Sequence, residues 1–163
     1  MPAIKLIKTK DNDGIISFSE KVFADCIKYL KTSFNLKIPN LYLNLMNHKD
    51  YTELCDRMDL LLGKIPRTNA IIAYRFGMTP EVCVDFEKHF SFFLSTGKPI
   101  NFLVNLIASY LEELIHSANF SKSETEIQQI VCDAFEDFTE VKLNEEIKKQ
   151  RFEYAKKVDN KKS

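Results

Sequence analysis

Residues 110–127, YLEELIHSANFSKSETEI, contain the side chains best suited to chemistry. Glu112 and His116 are four residues apart, and in a helix that spacing places both on one face, one turn apart. Two such side chains can converge on one divalent ion, and a catalytic zinc site usually has three protein ligands and one open position. Glu113 directly follows Glu112, where such helices carry the general base. The stretch therefore predicts a metal site that needs one more ligand.

The third ligand is sought in the segment SETEI, which follows after a short loop. Glu124 lies three residues before Ile127 and seven before Val131, so it is predicted on the buried side of the next helix. Glu126 is predicted nearer the flank of that helix. A coordinating carboxylate has to point into the domain, so we prefer Glu124 over Glu126 as the third ligand.

A metal-free interpretation of the same residues stays open. The S-x-x-E pairs that begin at Ser121 and Ser123 match the capping box, in which the glutamate satisfies a backbone donor at the start of a helix. The polar stripe on the preceding helix would then be its solvent-facing side. That stripe consists of Asn105, Ser109, Glu112 and His116.

The elements that position these residues are predicted from hydrophobic periodicity. The helix at residues 99–118 is the most hydrophobic one and should be central, and a compact helix from Ser123 to Phe138 should follow it. With 163 residues and no internal repeat or linker, the chain is expected to form one α+β domain. Upstream we predict a hairpin at 3–18 around DNDG, followed by a helix that Ser19 caps and that ends before Pro39. A half-buried strand at 41–47, a helix from His48 to Gly63 and two neighbouring strands at 70–86 should come next.

The end of the chain differs in composition from the rest. Residues 139–163 are charged throughout, and we predict a solvated helix that frays into a tail or serves as an arm that contacts a partner. The division is therefore 1–138 for the α+β domain and 139–163 for the charged segment.

Overall composition limits partners and location. Lys plus Arg number 23 and Asp plus Glu number 23, so no overall field attracts nucleic acid or an anionic membrane. A peptide or protein partner and the oligomeric state are left open. The N-terminal segment lacks the hydrophobic centre of a signal peptide and no apolar run would span a bilayer, so a cytoplasmic location is expected.

Four scattered cysteines are predicted to be reduced core thiols: Cys26, Cys55, Cys83 and Cys132.

The run LIASYLEELIHSANFSKSETEIQQIV resembles the paired helices of the small gluzincins, minimal zinc metallopeptidases of the H-E-x-x-H class. The resemblance implies a zincin-like fold: a small sheet on a backing helix, a central motif helix and a following glutamate helix. It implies that Glu113 is the general base, that His116 is a metal ligand, and that Glu124 or Glu126 is the glutamate ligand.

One departure from that family pattern affects the expected chemistry. Glu112 stands where the family has its first histidine, so the ligand set would be Glu-His-Glu. A second anionic oxygen lowers the Lewis acidity of a bound ion and favours manganese or iron beside zinc. The resemblance thus implies a divergent metallopeptidase, or a relative that has lost proteolysis and kept the scaffold and its divalent-metal site.

Three rival hypotheses come from other classes: a metal-dependent nuclease, a di-iron protein and a structural or interaction protein. Asp85, Glu87 and His89 would suit a metal-dependent nuclease, although no basic cluster accompanies them. His89 could instead polarise a group in the candidate site, although a lone histidine at a strand end is typical of a surface. The pair Glu113 and His116 forms half of a di-iron helix motif without a second copy. Finally, a structural or interaction protein would use the apolar helix as core and bind no metal.

Overall fold

The computed structural model describes residues 4–6, 13–62, 70–74, 79–96, 99–118 and 122–162. Within these ranges the chain is α+β, as expected, with six helices and one sheet of four strands. The elements in chain order are β1 (Ile4–Leu6), α1 (Asp13–Ser33), β2 (Tyr42–Met46), α2 (His48–Leu62), β3 (Ala70–Tyr74), β4 (Pro80–Asp85), α3 (Phe86–Thr96), α4 (Pro99–Ala118), α5 (Glu124–Thr139) and α6 (Glu145–Lys162).

The sheet has the strand order β1-β2-β4-β3. Strand β2 runs parallel to its neighbours β1 and β4. Leu43 of β2 is opposite Ile4 of β1 on one side and Val82 of β4 on the other. Strand β3 closes the far edge antiparallel to β4, with Ile71 opposite Cys83. The two strands predicted at residues 70–86 are thus confirmed as a neighbouring pair, and the strand predicted at 41–47 is confirmed as β2.

Helices cover both faces of this sheet. Alternate strand residues such as Leu43 and Val84 enter the large core with α1, α4 and α5. The residues between them, including Met46 and Cys83, form a smaller core with Tyr51 of α2. Strand β2 is therefore buried on both faces and not half-buried as predicted, which is typical of parallel strands between helices.

Helix α4 is the central helix, as predicted. Leu106, Leu111, Leu114 and Ile115 have no exposed surface, and the helix packs against α1, α3, α5 and β3. Its apolar surface extends over most of its circumference, so only a narrow stripe is left for polar groups. The position of that stripe decides where Glu112 and His116 lie.

The predicted hairpin at residues 3–18 is wrong. Strand β1 pairs with β2, and the segment GIISF is the first part of α1, while residues 7–12 lie outside the described part. Ser19 does not cap the helix, because its buried hydroxyl donates to the carbonyl of Ile15 within it. The pattern that favours the longer helix is the buried series Ile16, Ser19, Phe23, Cys26 and Leu30, with alternate spacings of three and four.

Two further differences concern the middle of the chain. Helix α3 was not predicted at all; the Asp85 carboxylate accepts a hydrogen bond from the backbone of Lys88 at 3.2 Å and so acts as its cap. Helix α2 begins at His48 as predicted and extends to Leu62, but Leu61, for which the helical spacing predicts an inward side chain, is 83% exposed.

The charged C-terminal segment forms α6, and this helix is not solvated all round. Ala155 and Val158 are buried, as is Leu143 in the turn before it. Helix α6 packs along α5, and Glu140 between them has a left-handed backbone with a φ of 58°. The interaction gives α6 access to the side chains of α4 and α5 described below.

All four cysteines are free and buried, as predicted. Among the described residues, no helix combines the length and apolarity that a membrane span would need.

The central position of α4 leads to a prediction about stability. Leu114→Ala removes a fully buried side chain and should lower the free energy of unfolding by about 2–5 kcal/mol. Leu60→Ala is the matched control, because Leu60 is 87% exposed and its truncation should change stability by less than about 0.5 kcal/mol. Urea unfolding followed by circular dichroism measures both. Equal losses for the two variants would contradict the central role of α4.

Candidate metal centre

Glu112, His116 and Glu124 lie together at the junction of α4 and α5. One ligand atom from each of the three side chains lies within 4.8 Å of the others. His116 Nε2 is 3.0 Å from Glu124 Oε1 and 4.0 Å from Glu112 Oε1. Two ligands of one tetrahedral zinc ion are about 3.3 Å apart, given metal bonds of about 2 Å. The three residue types and their spacing therefore fit a divalent cation.

The first two members of this trio come from α4. Glu112 and His116 share a face because they are one turn apart, and that face looks towards α5. Glu112 is buried, while the side chain of His116 is 28% exposed. The trio is therefore open to solvent on the side of the imidazole.

Glu124 is the first residue of α5, and its position depends on how that helix begins. Ser123 is the N-cap and accepts a hydrogen bond from the backbone of Glu126 at 3.1 Å. The Asp159 carboxylate of α6 accepts from the backbone nitrogens of Glu124 at 2.8 Å and Thr125 at 3.0 Å. Because serine and aspartate already satisfy these donors, the side chain of Glu124 can turn to His116.

Glu126 lies outside the trio. Its side chain is 61% exposed, 4.0 Å from the ammonium group of Lys122, and its carboxylate accepts a hydrogen bond from Ser123. The serine half of the capping box is therefore present, whereas the Glu126 carboxylate accepts from the Ser123 hydroxyl instead of a backbone donor. The alternative box with Ser121 lies outside the described residues. Of the two glutamates considered as third ligand, only Glu124 is placed beside His116.

The buried carboxylate of Glu112 is held on both oxygens. Gln128, which is 1% exposed, donates from Nε2 to Oε1 at 2.8 Å. Arg151 of α6 donates from Nη1 to Oε2 at 2.9 Å and lies 3.5 Å from Gln128 Oε1. Burying a carboxylate is costly unless it is paired and hydrogen-bonded. Glu112 meets both conditions with partners from two other helices.

Glu113, the expected general base, is also buried but lies in a different environment. Burial raises the pKa of its carboxyl well above the ordinary value, and the neighbouring carboxylates of Glu112 and Glu124 raise the pKa further. Arg151 and a hydrogen bond from the backbone of Ile72 in β3 act in the opposite direction on that pKa. Burial and two like charges favour the protonated form of Glu113.

Two tyrosines border these carboxyls. Burial raises the pKa of Tyr154 in α6, with Glu112, Glu124 and Glu113 adding to the shift in that order. Burial also raises the pKa of Tyr51 in α2, with smaller contributions that include Glu113. Both phenols therefore stay neutral hydrogen-bonding groups at neutral pH.

The residues proposed for a nuclease are not gathered in this way. Asp85 is buried and accepts from the backbone of Lys88, and its Oδ2 is 2.7 Å from His48 Nδ1. Glu87 is exposed. In the described ranges, the trio at α4 and α5 is the one group of three or more such side chains with metal-ligand spacing. The geometry therefore does not favour Asp85, Glu87 and His89 as joint ligands.

His89 is buried at 4% exposure, which contradicts its expected surface position. Burial lowers the pKa of its imidazole to about 4, partly opposed by Asp85. His89 is therefore a neutral residue of the interior near neutral pH.

Sequence reasoning missed four residues that surround the trio. Their common feature is that their partners are between 16 and 42 positions away in the chain, so that no local spacing pairs them. Arg151 in a charged helix looks like any solvated arginine until α6 is docked. The four residues are Gln128, Arg151, Tyr154 and Asp159.

Comparison of the chain with protein-family models, with curated proteins and with solved structures found no match in any of the three. The function proposed below is supported by the geometry of the site.

The buried Glu113 predicts a pH effect on stability. Its folded pKa lies above the ordinary 4.5, so the native protein keeps a proton that the unfolded chain loses. The contribution of this group to stability therefore falls as the pH rises from 4.5 through the folded pKa. Glu113→Gln removes this loss, so the free energy of unfolding of the variant should rise relative to that of the wild type as the pH increases across that window.

Urea unfolding between about pH 4 and pH 8 measures this difference. Glu126→Gln is the matched control, because Glu126 is largely exposed and its replacement should give no comparable trend. A stability difference between Glu113→Gln and the wild type that does not change with pH would contradict the raised pKa.

Proposed function

We propose that the protein is a divergent zincin-like domain that binds a divalent metal ion through Glu112, His116 and Glu124 and has lost most or all proteolytic activity. The observation that carries this proposal is the convergence of the three ligand atoms within 4.8 Å. The same three residues were expected to meet from their spacing and from the resemblance to small gluzincins. A bound divalent ion would supply Lewis acidity at this point.

The surroundings of the trio support metal binding. Ligand side chains in metal sites are commonly held by hydrogen bonds from a further layer of residues. Glu112 has Gln128 and Arg151 in that role, and Glu124 is positioned through the contacts of Asp159 with the start of α5. The partly exposed His116 leaves a route by which an ion can enter.

The same surroundings argue against efficient peptide hydrolysis. A general base must be deprotonated at working pH, whereas burial and two neighbouring carboxylates raise the pKa of Glu113. A cation bound by the trio would lower that pKa. However, the carboxyl also accepts a hydrogen bond from Ile72, so one of its oxygens is already occupied. Glu112 in place of an imidazole further reduces the Lewis acidity of the site.

The alternative is a metal-free interaction protein, and one observation favours it. Arg151 is paired with Glu112 at 2.9 Å, and His116 with Glu124 at 3.0 Å. With His116 protonated, two cations balance two carboxylates, so the trio can be held together by ion pairs alone. In that case its role is to join α4, α5 and α6.

Metal uptake separates the two functions. Protein stripped with a chelator, reloaded with zinc and desalted should retain about one equivalent by elemental analysis, because the trio offers one three-ligand site. His116→Ala should lose at least about a hundredfold in zinc affinity, since even partners outside the ligand set are worth about 10- to 100-fold. His48→Ala is the histidine control, because His48 pairs with Asp85 and not with the trio. Wild-type protein without retained metal would establish the metal-free alternative.

A separate measurement tests the loss of proteolysis. Zinc-loaded wild type is expected to release no more peptide from unfolded casein than Glu113→Gln does, because the wild-type carboxyl is a poor base in its buried setting. Peptide release can be followed by fluorescence of labelled casein. Cleavage by the wild type that disappears in Glu113→Gln would show an active metallopeptidase and contradict this part of the proposal.

A further inference from the structure

Helix α6 contacts both acidic members of the trio, although its charged sequence indicates a solvated segment. Arg151 donates to Glu112 Oε2, and Asp159 accepts from the backbone of Glu124. We propose that Arg151 makes Glu112 a charge-neutralised ligand that binds through one oxygen, and that it thereby sets the preference of the site for zinc over harder, oxygen-seeking ions. This inference rests on the proposed metal-binding function.

The two oxygens of Glu112 have different neighbours. Oε1 lies 4.0 Å from His116 Nε2 and accepts from Gln128 at 2.8 Å. A carboxylate oxygen has about two acceptor positions, so Oε1 keeps one for a metal ion beside Gln128. Oε2 is bonded to the Arg151 guanidinium at 2.9 Å. A cation bound at Oε2 would lie beside the positively charged guanidinium, so charge repulsion favours coordination through Oε1 alone.

Arg151 also reduces the net negative charge at the ligand set. Two carboxylates and a neutral imidazole carry a charge of −2, and the guanidinium of +1 brings the sum to −1. That is the charge of the His-His-Glu set found in zinc peptidases. Arginine does not lose its proton in proteins, and the side chain of Arg151 is only 19% exposed. Little solvent therefore separates its charge from Glu112.

Coordination number connects this contact to metal preference. Zinc in proteins favours four ligands with nitrogen among them, whereas manganese and calcium take more oxygens. With the guanidinium beside Oε2, Glu112 offers a cation one oxygen, in addition to the nitrogen of His116 and the carboxylate of Glu124. Without Arg151, both Glu112 oxygens and an extra negative charge become available. The site should then shift towards the harder ions.

The experiment compares three full-length variants with the wild type. Arg151→Met removes the charge and the donor but keeps an unbranched side chain of similar length, and Arg151→Lys keeps the charge. Lys148→Met is the matched control, because Lys148 on the same helix pairs with Glu136 of α5 at 2.7 Å and not with the trio. Each chelator-treated protein is titrated with zinc and with manganese by calorimetry, and with cobalt(II) by visible absorption.

Arg151→Met should lose about 10- to 100-fold in zinc affinity, as is usual when a hydrogen-bond partner of a metal ligand is removed. Its manganese affinity should be unchanged or higher. The visible absorption of its cobalt complex should weaken, because higher-coordinate cobalt absorbs less than four-coordinate cobalt. Arg151→Lys should recover part of both effects, and Lys148→Met should match the wild type. Circular dichroism and urea midpoints check that each variant is folded.

The outcomes separate this inference from the function on which it rests. If the wild type binds zinc and Arg151→Met keeps the zinc-to-manganese ratio and cobalt spectrum of Lys148→Met, the role of Arg151 is overturned while the metal site stands. If the wild type binds none of the three ions, both are overturned. A fall in the ratio with Arg151→Met but not with Lys148→Met supports the role.

Discussion

The buried carboxylate of Glu112 is the constraint around which the helical half of the molecule is arranged. A charge in this position must be compensated, and α4 itself provides only a partly exposed imidazole one turn away. The compensation comes from Gln128 of α5 and Arg151 of α6, so one side chain requires three helices to meet. Docking of α6 in turn brings Asp159 to the start of α5.

The sheet fixes the other side of the same helix. Helix α4 packs against β3, and the backbone of Ile72 in that strand binds the carboxyl of Glu113. Glu112 and Glu113 are adjacent in sequence, yet the first accepts from the Gln128 amide and the Arg151 guanidinium, whereas the second accepts from the backbone of Ile72. The two carboxyls differ because Glu112 contacts α5 and α6, whereas Glu113 contacts β3. The helix therefore separates a buried, ion-paired carboxylate from a carboxyl that favours its proton.

Much of this arrangement could be predicted from sequence because it depends on local periodicity. The extent of α4, the start of α5 near Ser123 and the pair β3 and β4 follow from apolar spacing and turn residues. The convergence of Glu112, His116 and Glu124 also follows, since only a short loop separates their helices. The start of α1 differs from the prediction because Ser19 resembles a cap in sequence but lies inside the helix.

The remainder could not be predicted because it depends on contacts between distant segments. Arg151 is an ordinary charged residue in its own helix, and only the packing of α6 on α5 brings it to Glu112, 39 positions away. Strand β1 has three residues and becomes recognisable through its pairing with β2. Whether a metal ion or ion pairs hold the trio together depends on affinity, which residue spacing does not determine.

The four buried thiols have a practical consequence. Cys26 and Cys132 belong to the large core, and Cys55 and Cys83 to the smaller core on the opposite face of the sheet. Burial raises the pKa of the Cys26 and Cys132 thiols, which keeps them in the unreactive protonated form. Thiol-directed reagents can therefore label these cysteines only when the surrounding layer opens. The protein thus contains a natural pair of reporters on each side of its sheet, which would reveal whether the two layers unfold together or separately.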